Sequence, residues 1–145
     1  MDNIEFISFI EDRIFREMML GSARNENILT GLRNIKSDFN YIASKDSKIS
    51  TIDILKRLRD ERVENAKIYK DNNRIDLWLQ ENTEANILNS YLPAEPSYNE
   101  IIEFLETLSI PKQKSSFKKF QNACSDHFGQ KINSEIILEF IEKSN

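Results

Sequence analysis

The sequence predicts an all-α fold, and three observations carry that prediction. Apolar residues recur at intervals of three and four through most of the chain, the period of amphipathic helices. The 145 residues include only three Gly and three Pro, too few for the turns of an all-β protein. Helix boundaries are also marked locally, by Ser, Thr or Asn before apolar runs and by Gly or Pro after them. A chain of this length makes one domain or two small ones.

Residues 3–20 carry Ile4, Ile7, Ile10, Ile14 and Met18 at helical spacing, widened by Phe6, Phe9 and Phe15, and Gly21-Ser22 ends the segment. This stripe is expected in the core. So is the soft Met18-Met19-Leu20 cluster, whose alternative use is a partner surface. A second helix runs from about Asn25 to Ile42 on Ile28, Leu32, Ile35, Phe39 and Ile42. After a polar connector, Ser50 or Thr51 caps a third helix, and Asp53 lies in its first turn, where the dipole favours an acid.

That third helix pairs with a fourth in an antiparallel hairpin broken at Asp71-Asn72-Asn73. At 100° per residue its apolar stripe is Leu55, Leu58, Ala66 and Tyr69, with Arg62 in the middle. The stripe of the fourth helix is Leu77, Leu88 and Tyr91, with Glu81 and Glu84 inside it. Arg62 and Glu84 stand at similar distances from the turn. A lone buried charge costs several kcal/mol, so a structural ion network is expected: an Arg62–Glu84 pair, with Glu81 or Asp76 close by. Arg74, at a helix start where a cation opposes the dipole, either pairs with Asp76 or binds a ligand. Trp78 is expected to be largely buried. Lys56, Arg59, Lys67 and Lys70 form a basic stripe on the third helix. The adjacent Asp53, Asp60, Glu64 and Asp71 favour a surface of ion pairs such as Asp53–Arg57 and Lys56–Asp60 over a phosphate-tracking ridge.

Pro93 stops the fourth helix, and Ala94-Glu95-Pro96 is a stiff linker. The boundary therefore falls between a four-helix part, residues 1–93, and a three-helix tail, residues 94–145. In the tail, Ser97-x-x-Glu100 forms a capping box before Ile101, Phe104, Leu105 and Leu108. A short helix passes through Phe117, Phe120 and Cys124, and a last one, capped by Asn133 or Ser134, carries Ile136, Ile137, Phe140 and Ile141.

Little here suggests catalysis. The one histidine, His127, lies three residues from the one cysteine, Cys124, without an orienting acid on that face, so an ordinary surface histidine and a half-buried thiol are the expectation. Structural zinc takes about four Cys or His ligands, so no metal and no cofactor are expected. The three glycines are isolated, which excludes a glycine-rich phosphate loop. No run of about eighteen apolar residues is present to span a membrane. An acidic start, MDNIEFISFIEDR, and a lone cysteine fit a cytoplasmic protein. The net charge of −4 works against generic nucleic-acid binding, so any RNA contact needs a local patch. The best such surface is Lys112, Lys114, Lys118 and Lys119, joined by Lys131. Phe117 and Phe120 interleave with these lysines, as stacking platforms do, though their spacing is equally that of a core stripe. Usage rich in Asn, Ile, Lys and Ser suggests an AT-rich gene, viral or from a low-GC bacterium.

The pattern Arg62, Tyr69, Arg74-x-Asp76-Leu77, Glu81, Glu84, Leu88 and Tyr91-Leu92-Pro93 resembles the YqeY family, which is related to the C-terminal tail of the GatB subunit of the tRNA-dependent amidotransferase. Phe117-Lys118-Lys119-Phe120-Gln121 departs from the resemblance, standing where relatives tend to carry a Gly-Lys-x-Met-Gly-like stretch. The resemblance implies an all-helical, two-part, non-catalytic protein of tRNA metabolism. The expected role is an accessory factor in tRNA aminoacylation or amidation, binding tRNA or a tRNA-charging enzyme through the tail lysines and Arg74. The alternative is a protein–protein adaptor, viral for instance, that modulates a host aminoacyl-tRNA synthetase without touching RNA.

Overall fold

The computed structural model describes residues 1–143 of the chain. These form seven α-helices and two short 3-10 turns, with no strand among the described residues. The chain separates into two compact units, Met1–Pro93 and Ala94–Asn145, each with its own apolar core.

The first unit contains α1 (Asn3–Met19), α2 (Glu26–Lys45), α3 (Thr51–Asp71) and α4 (Ile75–Tyr91). Three of these start on side-chain caps: Asp2, Asn25 and Ser50 accept from the backbone N–H groups of Glu5, Ile28 and Asp53. Each such cap stabilises its helix by about 1 kcal/mol. The α3–α4 turn closes with the N–H of Asn73 donating to the carbonyl of Lys70 and that of Arg74 to Tyr69. This Schellman pattern needs a left-handed residue, and Asn73 takes it with φ of 59°. Asparagine is the residue other than glycine that most readily accepts that conformation.

The core of this unit joins Phe6 and Ile10 of α1, Leu32, Ile35 and Phe39 of α2, Leu55 and Leu58 of α3, and Leu88 of α4. Phe6 packs on Phe39 with ring centroids 4.5 Å apart and meets Tyr91 edge-on at 5.4 Å. Each fully buried side chain of this size stabilises the fold by about 1.5–3 kcal/mol.

Helix α1 is buried far less than its periodicity predicts. Phe6 and Ile10 are its buried residues, while Ile4, Phe9, Phe15, Met18, Met19 and Leu20 are exposed. The Met18-Met19-Leu20 cluster therefore lies outside the core. The physical reason is position in the bundle: α1 packs chiefly on α2, whereas α2, α3 and α4 each pack on two or more helices. Trp78 is half-buried rather than sequestered, and the Lys70 ammonium sits 5.9 Å from its ring centroid.

The second unit contains α5 (Tyr98–Glu106), α6 (Phe117–Phe128) and α7 (Ser134–Glu142). Both hydrogen bonds of the capping box form: Ser97 Oγ accepts from the N–H of Glu100, and Glu100 accepts from the N–H of Ser97. Gly129, at φ of 67°, ends α6, and Asn133 caps α7. Ile101, Leu105, Phe120, Cys124, Ile132, Ile137, Phe140 and Ile141 make the core. Phe120 meets Phe140 edge-on at 5.7 Å. The buried Gln130 donates to the carbonyl of Ala94 at 3.4 Å, tying the start of the unit to the loop before α7.

Candidate functional site

Two groups of charged residues stand out, one inside the first unit and one on the surface of the second. Arg62 and Glu84, with side chains 8% and 4% exposed, form an ion pair at 3.2 Å across the α3–α4 hairpin. Arg62 also donates to Asp38 on α2. The second oxygen of Glu84 accepts from Asn34 at 3.1 Å and from Gln80 at 2.8 Å, and Gln80 in turn donates to the carbonyl of Asn27. The buried charges are thus held by a chain of donors and acceptors from three helices. Burial alone would lower the pKa of Arg62. The hydrogen bond to Asp38 and the charges of Glu84 and Asp38 outweigh that, so the guanidinium titrates above its ordinary range.

Of the two acids expected beside this pair, Glu81 is close by, within the fields of Arg62, Glu84 and Asp38, and Asp76 is not. Asp76 lies on the surface 3.6 Å from Arg74, with both side chains well exposed. Asp76 stands eight residues before Glu84, about 12 Å along the helix, beyond the reach of the Arg62 guanidinium. Glu81 stands at the rim, half-buried. Burial first, then the charge of Glu84, pushes its carboxyl above the usual range, against opposing contributions from Arg62 and a hydrogen bond to Asn65. Sequence reasoning missed Asp38, Asn34 and Gln80, together with Gly31. A Cβ on Gly31 would lie 3.0 Å from Cγ of Glu84, so glycine there lets α4 approach with its carboxylate inward. A signal was available: Asn27, Gly31, Asn34 and Asp38 follow one flank of the α2 apolar stripe at spacings of three and four, a small and polar seam.

In the second unit, the segment from Thr107 to Ser125 contains four lysines and no acid. Lys114 opens a 3-10 turn at Lys114–Ser116, and Lys118 and Lys119 occupy the exposed first turn of α6, which has no side-chain cap and no acid. The helix dipole adds positive potential at that end, so these cations stand where they oppose helix stability and attract an anion. Lys112 lies over the Phe140 ring at 4.2 Å, and Lys131 is exposed on the loop before α7. Phe120 is fully buried and Phe117 packs against the same core, so neither is a stacking platform. Arg74 belongs to the other unit and to the Asp76 contact.

The remaining polar groups do not converge. Cys124 is fully buried rather than half-buried, and burial pushes its thiol pKa up, away from thiolate chemistry. His127 is exposed and stacks on Phe104, with centroids 4.0 Å apart and planes 9° from parallel. No cluster of three His, Cys, Asp or Glu suited to a metal occurs among the described residues. On α3 the surface ion pairs include Arg57–Glu61 and Arg59–Asp60, in place of the Asp53–Arg57 pair read from spacing. No described helix is long and apolar enough to cross a membrane.

Comparison with curated proteins gives no match. A family model described as Yqey-like protein matches residues 12–123, from within α1 through the α3–α4 hairpin and the lysine-rich segment into α6. All the residues of the buried network lie inside that span, which covers most of the chain, and the protein belongs to the YqeY family.

Proposed function

We propose that this protein is a non-catalytic, cytoplasmic accessory factor of tRNA aminoacylation or amidation, and that its second unit contacts tRNA or a tRNA-charging enzyme. The observation that carries this reading is the cationic start of α6. There Lys114, Lys118 and Lys119 surround an uncapped helix end in a segment free of acids, although the whole chain is acidic. A phosphate-bearing partner meets both lysine charge and the positive end of the helix dipole at such a place. The relation to the GatB tail that the YqeY resemblance implies supports the RNA class. The non-catalytic reading rests on Glu81 and Glu84. Glu84 is committed to Arg62, Asn34 and Gln80, and Glu81 is tied to Asn65, which leaves no converging acid–base pair.

A second reading is a protein adaptor that retunes an aminoacyl-tRNA synthetase without touching RNA. The net charge of −4 and the exposed apolar side chains of α1 favour it. An affinity pull-down from native host extract separates the two, with RNA and protein recovered separately. tRNA that stays bound after protein partners are stripped, and that is lost from the Lys118→Ala, Lys119→Ala variant, supports the first reading. A synthetase or amidotransferase subunit recovered without RNA, and indifferent to those substitutions, replaces it with the second.

A further inference from the structure

Helix α1 presents a second face that the core does not use. Phe9, Asp12, Phe15 and Arg16 line one cleft together with Tyr91. Phe9, Phe15 and Met19 are 48%, 63% and 70% exposed. By helical phase these residues, Asp12 and Arg16 share an arc of about 120° opposite the buried Ile10. Asp12 and Arg16 stand four apart, the spacing of a helix ion pair, yet neither makes an ion pair among the described residues. An apolar strip with two unpaired opposite charges at its middle, and Glu5 further toward its N-terminal end, marks an interaction surface.

We propose that this face binds a second copy of the chain, α1 against α1 in antiparallel, about a two-fold axis at the level of Ile14. The charge order selects both occupant and register. In that register Asp12 faces the Arg16 of the other copy, and by symmetry Arg16 faces its Asp12. The two Phe15 rings meet beside the axis, and Phe9 packs on Met19 of the other copy, a flexible side chain suited to a shallow cleft. A slip by one turn either way sets Asp12 against Asp12 or Arg16 against Arg16. Parallel pairing does both. Like charges face each other in every neighbouring arrangement, so the face is self-complementary in one register. The pairing is modest in size, one helix of 17 residues from each copy, so association belongs in the micromolar range.

The test is sedimentation velocity over a concentration series into the high micromolar range, with circular dichroism showing that every variant keeps its helices. The parent is expected to pass from monomer to dimer. Asp12→Arg alone and Arg16→Asp alone each weaken self-association at least about tenfold, because each sets two like-charge contacts across the axis. An equimolar mixture of these two variants recovers a dimer containing one of each, since all facing charges are then opposite. A parent that stays monomeric overturns the proposal. So does a dimer that tolerates both reversals, or a mixture that fails to recover association.

Discussion

The two units use charge in opposite ways. The first buries an arginine and a glutamate in its hairpin and completes them with Asp38, Asn34 and Gln80. The second buries no charged residue among those described and keeps its lysines at the surface, around a core of aliphatic and aromatic side chains. A buried pair adds little net stability over apolar packing of the same shape, but it penalises any register that separates its members. Charge in the first unit therefore aligns three helices. In the second, apolar shape does that work, and Lys114, Lys118 and Lys119 stand exposed.

The sharpest way to break this contrast is Arg62→Met. It strands Glu84 in the core and is expected to cost about 3–5 kcal/mol. Hydrogen exchange should lose protection within residues 1–93. Adding Glu84→Leu should recover most of that loss, because the stranded carboxylate is gone. If Arg62→Met alone melts like the parent, the charges do not align the helices. The counterpart in the second unit is Ile137→Ala, at the fully buried centre of its core. It should cost about 2–5 kcal/mol, with loss of protection in residues 94–143.

Gly31→Ala comes next. The added methyl meets Glu84 and Ile87 at 3.0 and 3.3 Å, and should cost about 1–3 kcal/mol in chemical denaturation by pushing α4 away. The smallest effect belongs to Glu81. Its folded pKa is raised, chiefly by burial, so its contribution is full below the unfolded value and is lost as pH rises through the raised one. Glu81→Gln stays neutral and should melt above the parent at neutral pH, with the advantage disappearing as pH falls below the carboxylate range. An advantage that persists at acid pH would remove electrostatics as its cause.

Features set by neighbouring residues were legible in the sequence. The caps at Ser50 and Asn133, the Ser97–Glu100 box and the Asp71-Asn72-Asn73 turn all depend on side chains within a few positions of the backbone they serve. The Arg62–Glu84 pair was also legible, because a hairpin makes opposite residues computable from their distance to the turn. Asp38 was not, since it comes from a helix whose angle to the hairpin is set by packing. Periodicity likewise gives the phase of α1 but not how many neighbours cover it, which is why Phe9, Phe15 and Met19 were expected inside. The lysines of the second unit were visible by composition. That they gather at an uncapped helix end follows only once Phe117 is known to begin α6.

The division of roles meets its most direct test in tRNA affinity measured against salt concentration, for the parent and for Lys118→Ala, Lys119→Ala. Cations that oppose their own helix dipole hold nothing in the fold, so the double variant should melt with the parent or slightly above it. Its affinity should fall, and the slope of log K against log salt should drop by about 1.5 for two lost phosphate contacts. Affinity and slope equal to the parent's, or a variant that loses its fold, would contradict the assignment of these lysines to a partner.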